Sequence, residues 1–226
     1  MYLTEDGSTT VAVDFFRIPN AFGNPLKITL SAAVRMAESQ RDSILANPAP
    51  LGLMAFGVTT VLLNVANAGY YSVNSIVLAM GIFYGGLAQV VAGAMEWRKG
   101  NIFGMTAFAS YGFFWLSFAF IFILQSLHLA ADADPAALGT YLFIWGLFTL
   151  LMFFGTLKAN GALMVVFGTL FILFFLLAAG AWSSNADVTK LAGYEGIICG
   201  LSAMYASIAT LLNDVYKRQV LPVFPR

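Results

Sequence analysis

The sequence predicts an all-α integral membrane protein with six transmembrane helices, and three observations carry that prediction. Six apolar stretches within residues 51–213 are each long enough to cross a hydrocarbon core of about 30 Å, which takes roughly 20 residues of helix. The composition is 60% hydrophobic and only 10% charged, where a soluble domain of this size carries about 25% charged residues. Ten of the eleven lysines and arginines fall on one side of the spans, Lys190 alone falling on the other. The positive-inside rule then puts both termini in the cytoplasm, which requires an even number of crossings.

Residues 1–46 read as a mostly mobile cytoplasmic N-terminal tail. They mix charges with Thr4, Gly7, Ser8 and prolines, and hold no apolar run long enough for a signal peptide. The transport domain is expected over residues 47–213. Its first span, 51–70, follows Asn47-Pro48-Ala49-Pro50-Leu51-Gly52-Leu53. Asparagine is a favoured N-cap, and proline is tolerated in a first turn because its missing N–H would be unbonded anyway. Asn47, Pro48, Ala49, Pro50 and Gly52 thus mark an abrupt helix start, whose positive dipole end faces the cytoplasmic mouth. Further along, Phe56, Thr60, Asn64 and Asn67 recur at spacings of 4, 4 and 3 and share a face.

The second span, 74–95, carries Tyr84 and Gln89 and a run of small residues, Gly81, Gly85, Gly86 and Gly93, at spacings that let helices approach closely, within a subunit or between subunits. The 67–74 connection is so short that the first two spans must form an antiparallel hairpin. Ser110, Tyr111 and Trp115 lie in the third span, 104–126. An outside loop with His128, Asp132 and Asp134 leads to the fourth, 138–157, which forms a second tight hairpin with the fifth, 161–182. The sixth, 191–213, holds the only cysteine, Cys199, which reads as an inert packing residue. Glu195 near its start reads as an interfacial carboxylate or a partner for Lys190, rather than a cation-holding group. Residues 214–226 complete the chain as a short cytoplasmic tail.

The spans lack a chain of histidines or acids to relay protons or bind a metal, and no glycine-rich phosphate loop precedes a lysine. No catalytic centre, cofactor, metal or nucleic-acid partner is expected, so the chain does not read as an enzyme. Its amides and hydroxyls suit the passage of a small polar solute; they equally suit hydrogen bonding between helices. Periodicity alone does not separate the two.

Four blocks in order decide further: Asn47 to Leu53, Gly81-Ile82-Phe83-Tyr84-Gly85-Gly86-Leu87-Ala88-Gln89, Gly104 to Trp115, and Met152-Phe153-Phe154-Gly155-Thr156-Leu157-Lys158. Over about residues 46–222 the chain resembles the acetate uptake transporter family, also called GPR1/FUN34/YaaH, and is similar to its bacterial succinate–acetate permease branch. The resemblance implies six-helix subunits in a homo-hexamer in the inner or plasma membrane, among its lipids, each subunit with its own path for acetate and, in some members, succinate or other short carboxylates. It places a constriction at Phe56, Tyr111 and Leu170. Thr60, Asn64, Asn67, Tyr84, Gln89, Ser110 and Trp115 are then expected along an uncharged path. Two other readings stand beside it: a channel for urea, a short amide or ammonia, and a sensor or scaffold whose residues 1–46 recruit a partner. Channel against proton symporter, and acetate against succinate, stay open.

Overall fold

A computed structural model describes Tyr2, Leu3, Thr9, Thr10, Arg35 and residues 45–225. The chain divides into two units, Met1–Ala46 and Asn47–Arg226. In the first, β1 (Tyr2–Leu3) pairs antiparallel with β2 (Thr9–Thr10), Tyr2 opposite Thr10. The rest of the expected N-terminal tail, including its mobility, lies outside the described residues.

The second unit holds six helices: α1 (Ala49–Asn67), α2 (Ser75–Arg98), α3 (Ile102–Ser126), α4 (Pro135–Thr156), α5 (Gly161–Ser183) and α6 (Ala186–Tyr216), each long and apolar enough to span a membrane. Hydrocarbon offers no water to backbone N–H and C=O groups, so each crossing segment satisfies them internally as a helix. Asparagines start four of the helices. The side chains of Asn74, Asn101, Asn160 and Asn185 accept from backbone N–H groups in the first turns of α2, α3, α5 and α6. The start of α1 departs from the expected cap: Pro48 occupies the cap position, and Asn47 Oδ1 accepts from Ala49 N, 3.2 Å away. With two prolines in this turn, fewer N–H groups need a partner.

Neighbours follow chain order in a ring. α1 packs on α2, α2 on α3, α4 on α5, α5 on α6, and α6 closes back onto α1. The α1–α6 seam is tight because glycines of α6 face α1: a Cβ on Gly193 would fall on the Ala68 backbone, and one on Gly196 would fall on the Asn64 side chain. Within α2, Gly81–Ala88 winds as a π-helix, and the glycines of α2 seat α3. Gly81 and Gly85 lie on the Trp115 indole, Gly86 on Leu116 and Gly93 on Ala109. α3 and α4 meet instead through large side chains, Phe114 stacking on Tyr141 with centroids 5.8 Å apart.

Large apolar side chains cover the outside, among them Phe83, Phe113, Phe120, Ile144, Leu151 and Ile198. Exposed Trp97 and Tyr216 sit at one end of the bundle and Tyr70 and Trp182 at the other, the positions aromatic belts take at the two membrane interfaces. The chain after α6 is not a free tail. Lys217 turns it back in the left-handed region (φ 52°), Asn213 binds the backbone of Val220 and Leu221, and Phe224 O accepts from Gly161 N at 2.8 Å.

Candidate functional site

At the end of the bundle where α1 starts and α6 stops lies a chamber of about 320 Å³. α1, α2, α3, α5 and α6 all contribute to its wall, as does Val223 of the returning C-terminal segment. Phe56, Tyr111 and Leu170 line it together, each at most 5% exposed. The Tyr111 ring stands 5.9 Å from that of Phe56 and 6.0 Å from that of Phe167. Its hydroxyl turns toward α4, donating to Thr149 Oγ1 at 3.0 Å, while Thr149 donates in turn to Trp145 O at 2.7 Å. Tyr111 therefore offers the chamber a ring edge more than a hydroxyl. Phe103, Phe108 and Leu53 extend the apolar wall.

The rim is polar. Asn47 Nδ2 donates to Asp214 Oδ2 at 2.8 Å, and Lys99 Nζ donates to Asn47 Oδ1 at 3.5 Å. One asparagine thus ties the start of α1 to the end of α6 and to the α2–α3 turn. Ala49 lies beside it on the chamber wall, whereas Pro50 lends its carbonyl to Ser207 Oγ at 2.6 Å and Gly52 lies under the Phe108 ring. Asn101 and Asn160, the caps of α3 and α5, also line the chamber. Glu96 lines it with no exposed surface at all; its Oε2 accepts from Asn101 Nδ2 at 2.8 Å, while its Oε1 has no hydrogen-bond partner. Gln89, seven residues earlier on α2, is likewise buried on the wall with Oε1 unpartnered.

Two expectations need correction here. A path free of charge does not describe this chamber, because Glu96 and Lys99 both line it. Glu195 does not pair with Lys190: both its carboxylate oxygens are buried without a hydrogen-bond partner.

Of the polar residues expected along the path, only Gln89 is on the chamber wall. Asn67 lines a second cavity, of about 560 Å³, at the opposite end of the bundle with Leu138, Asn185 and Thr189. Thr60 is buried with its hydroxyl unpartnered, Trp115 is buried on the α2 glycines with Nε1 unpartnered, and Tyr84 and Ser110 are half-buried. Asn64 turns into the α1–α6 seam, donating to Thr60 O at 2.9 Å and accepting from Asn67 at 3.0 Å. Helix geometry explains the split: each i+4 step drifts by about 40°, so Asn64 has rotated some 80° from Phe56. That rotation puts it in the stripe Gly57, Val61, Asn64, Ala68, which faces glycines of α6.

Glu96, Lys99, Asn101, Asn160 and Val223 join the chamber wall without being expected there from the sequence. The two asparagines were findable, since each stands just before an apolar run as Asn47 does. Glu96 and Lys99 read as ordinary interfacial charges.

Three comparisons bear on this geometry. Residues 21–225 match the model of the GPR1/FUN34/yaaH family. The succinate-acetate/proton symporter SatP of Escherichia coli K12 is 53% identical over 179 residues, covering 79% of this chain and 95% of that protein. Acetate permease A of Emericella nidulans is 36% identical over 195 residues, covering 79% of this chain and 65% of that one. A solved structure of the bacterial acetate channel SatP superposes with a TM-score of 0.78 at 53% identity, covering 79% of this chain and 99% of that one.

Proposed function

The chain belongs to the GPR1/FUN34/yaaH family of membrane transport proteins, and from that premise we propose that it carries acetate and other short carboxylates such as succinate across the cytoplasmic membrane. The observation that carries this reading is the joint placement of Phe56, Tyr111 and Leu170 on one chamber wall, beneath a rim of amides and one lysine. An anion reaching the rim meets Lys99, Asn47, Asn101 and Asn160. Lys99 is only half-buried, so its ammonium keeps part of its hydration and does not hold the anion as a fully buried cation would. Beyond the rim the methyl group of acetate meets apolar wall, while Gln89 offers an amide. Phe56, Tyr111 and Leu170 form the narrow point, which rejects bulky solutes and stays dry between passages. The route continues past Thr60 to the opposite cavity at Asn67. In this reading the chamber faces the cytoplasm, as the basic residues Arg98, Lys99, Lys158, Lys217 and Arg218 at that end favour. The subunit works in a homo-hexamer, each copy with its own path, and residues 1–46 and 214–226 are cytoplasmic.

Competition separates this reading from passage of a neutral solute. In proteoliposomes, labelled acetate uptake should fall with excess propionate and hold with excess urea. The reverse pattern would replace a carboxylate path with an amide or urea path.

A further inference from the structure

Among the described residues Lys99 is the one cation on the chamber wall, and no carboxylate pairs with it. Yet one stands close by. Asp214, exposed in the last turn of α6, accepts from Asn47 Nδ2 at 2.8 Å. A negative charge at that end of α6 opposes the helix's own dipole, so the stability of α6 does not account for it. The other end of the same amide faces Lys99. Asn47 Oδ1 accepts from Lys99 Nζ at 3.5 Å and from Ala49 N at 3.2 Å. This orientation is forced, because a carboxylate only accepts hydrogen bonds and an ammonium only donates them. The amide therefore stands between an ammonium and a carboxylate that have no direct contact. Glu96, the other acid on the wall, bonds to Asn101 and not to Lys99.

We infer, on the footing of the carboxylate path above, that Asn47 is a spacer between these charges. It keeps Asp214 from pairing with Lys99, so the ammonium stays available to an arriving carboxylate. Lys99 has a flexible four-carbon stem and Asp214 is exposed, so without the amide the two would close into a direct ion pair. That pair would give the ammonium a resident carboxylate in place of the solute's, and the rim would lose its attraction for anions. Asn47 holds Lys99 by a carbonyl dipole instead, which anchors the ammonium without cancelling its charge. Asn47 is thus a positioning residue, and Lys99 is the group that meets the solute. The effect belongs to capture at the rim and not to passage at Phe56, so it shows in KM and not in the maximal rate.

The test measures initial rates of labelled acetate uptake against concentration in inside-out membrane vesicles, with rates from vesicles lacking the protein subtracted. Low ionic strength leaves the rim charge least screened. Asn47→Ser keeps a side chain that can cap α1 but is too short to separate the two charges. It should raise KM about threefold, the size of an exposed charge interaction, with the maximal rate within about twofold of the parent. Adding Asp214→Asn should return KM to near the parental value. Lys99→Gln should raise KM as much, and in that background Asp214→Asn should lower it by a smaller factor. An unchanged KM in Asn47→Ser or in Lys99→Gln would overturn the inference and leave the transport reading standing. So would an Asp214→Asn effect that is absent, or equal in the two backgrounds. Parental flux no greater than that of vesicles lacking the protein, with the protein folded, would instead overturn the transport reading. If Asn47→Ser fails to fold, Asn47→Asp decides, since it keeps the cap and sets a carboxylate directly beside Lys99. Its KM should rise like that of Lys99→Gln; a parental KM would overturn the inference.

Discussion

Leu170 on α5 is a buried side chain that shares the chamber wall with Phe56 on α1 and Tyr111 on α3. On the proposed path its γ-branched bulk, not its chemistry, is what an arriving solute meets. Leu170→Ala should therefore raise lactate and succinate uptake relative to acetate, measured as competition against labelled acetate. Unchanged uptake of both larger acids would remove Leu170 from the constriction. Tyr111 makes a sharper case because its ring and hydroxyl point to different neighbours. Tyr111→Phe keeps the ring and loses the bond to Thr149, a bond of a kind worth about 0.6 kcal/mol between membrane helices. Its selectivity against lactate should hold, while Tyr111→Ala should lose it. Equal loss in both variants would show that the hydroxyl itself contacts the solute.

Among the elements, the α1–α6 seam and the returning C-terminal segment carry separable predictions. Gly193→Ala would drive a methyl group into the Ala68 backbone, which cannot rotate away, whereas Gly168→Ala meets only the Phe153 ring at ordinary contact distance, 3.5 Å. Overpacking of the first kind costs roughly 1–3 kcal/mol, so melting in detergent should fall clearly for Gly193→Ala and little for Gly168→Ala. Equal melting points would mean the seam is looser than its geometry. The C-terminal segment places Val223 on the chamber wall and Phe224 against Gly161. Ending the chain after Lys217 should speed acetate flux without altering selectivity, since the segment narrows the rim and not the point at Phe56. A selectivity change would place the filter at the rim instead.

The elements themselves were legible in the sequence, because length and apolarity suffice to mark a crossing. Each of the six helices overlaps its expected span, and the charge pattern agrees with the end at which Arg98, Lys99, Lys158 and Lys217 gather. The chamber was legible only in part. Spacing put Asn64 on the face of Phe56, but a drift of about 40° per i+4 step carried it into the seam. Nothing in the sequence distinguishes an interfacial glutamate from one like Glu96, whose burial depends on Gly104 and Asn101 of the next helix. Val223 follows the last helix, and only the fold brings it back to the wall.

For the molecule as a whole, two cavities lie at opposite ends of a six-helix ring, with Phe56 on the wall of one and Asn67 on the wall of the other, and the proposed path joins them. The most direct test is labelled acetate flux into proteoliposomes for the parent and for Phe56→Ala. The account predicts saturable flux in the parent, competed by other short carboxylates, and faster, less selective flux once Phe56 is removed. Folded protein whose flux matches empty liposomes, or a Phe56→Ala variant indistinguishable from the parent, would contradict it.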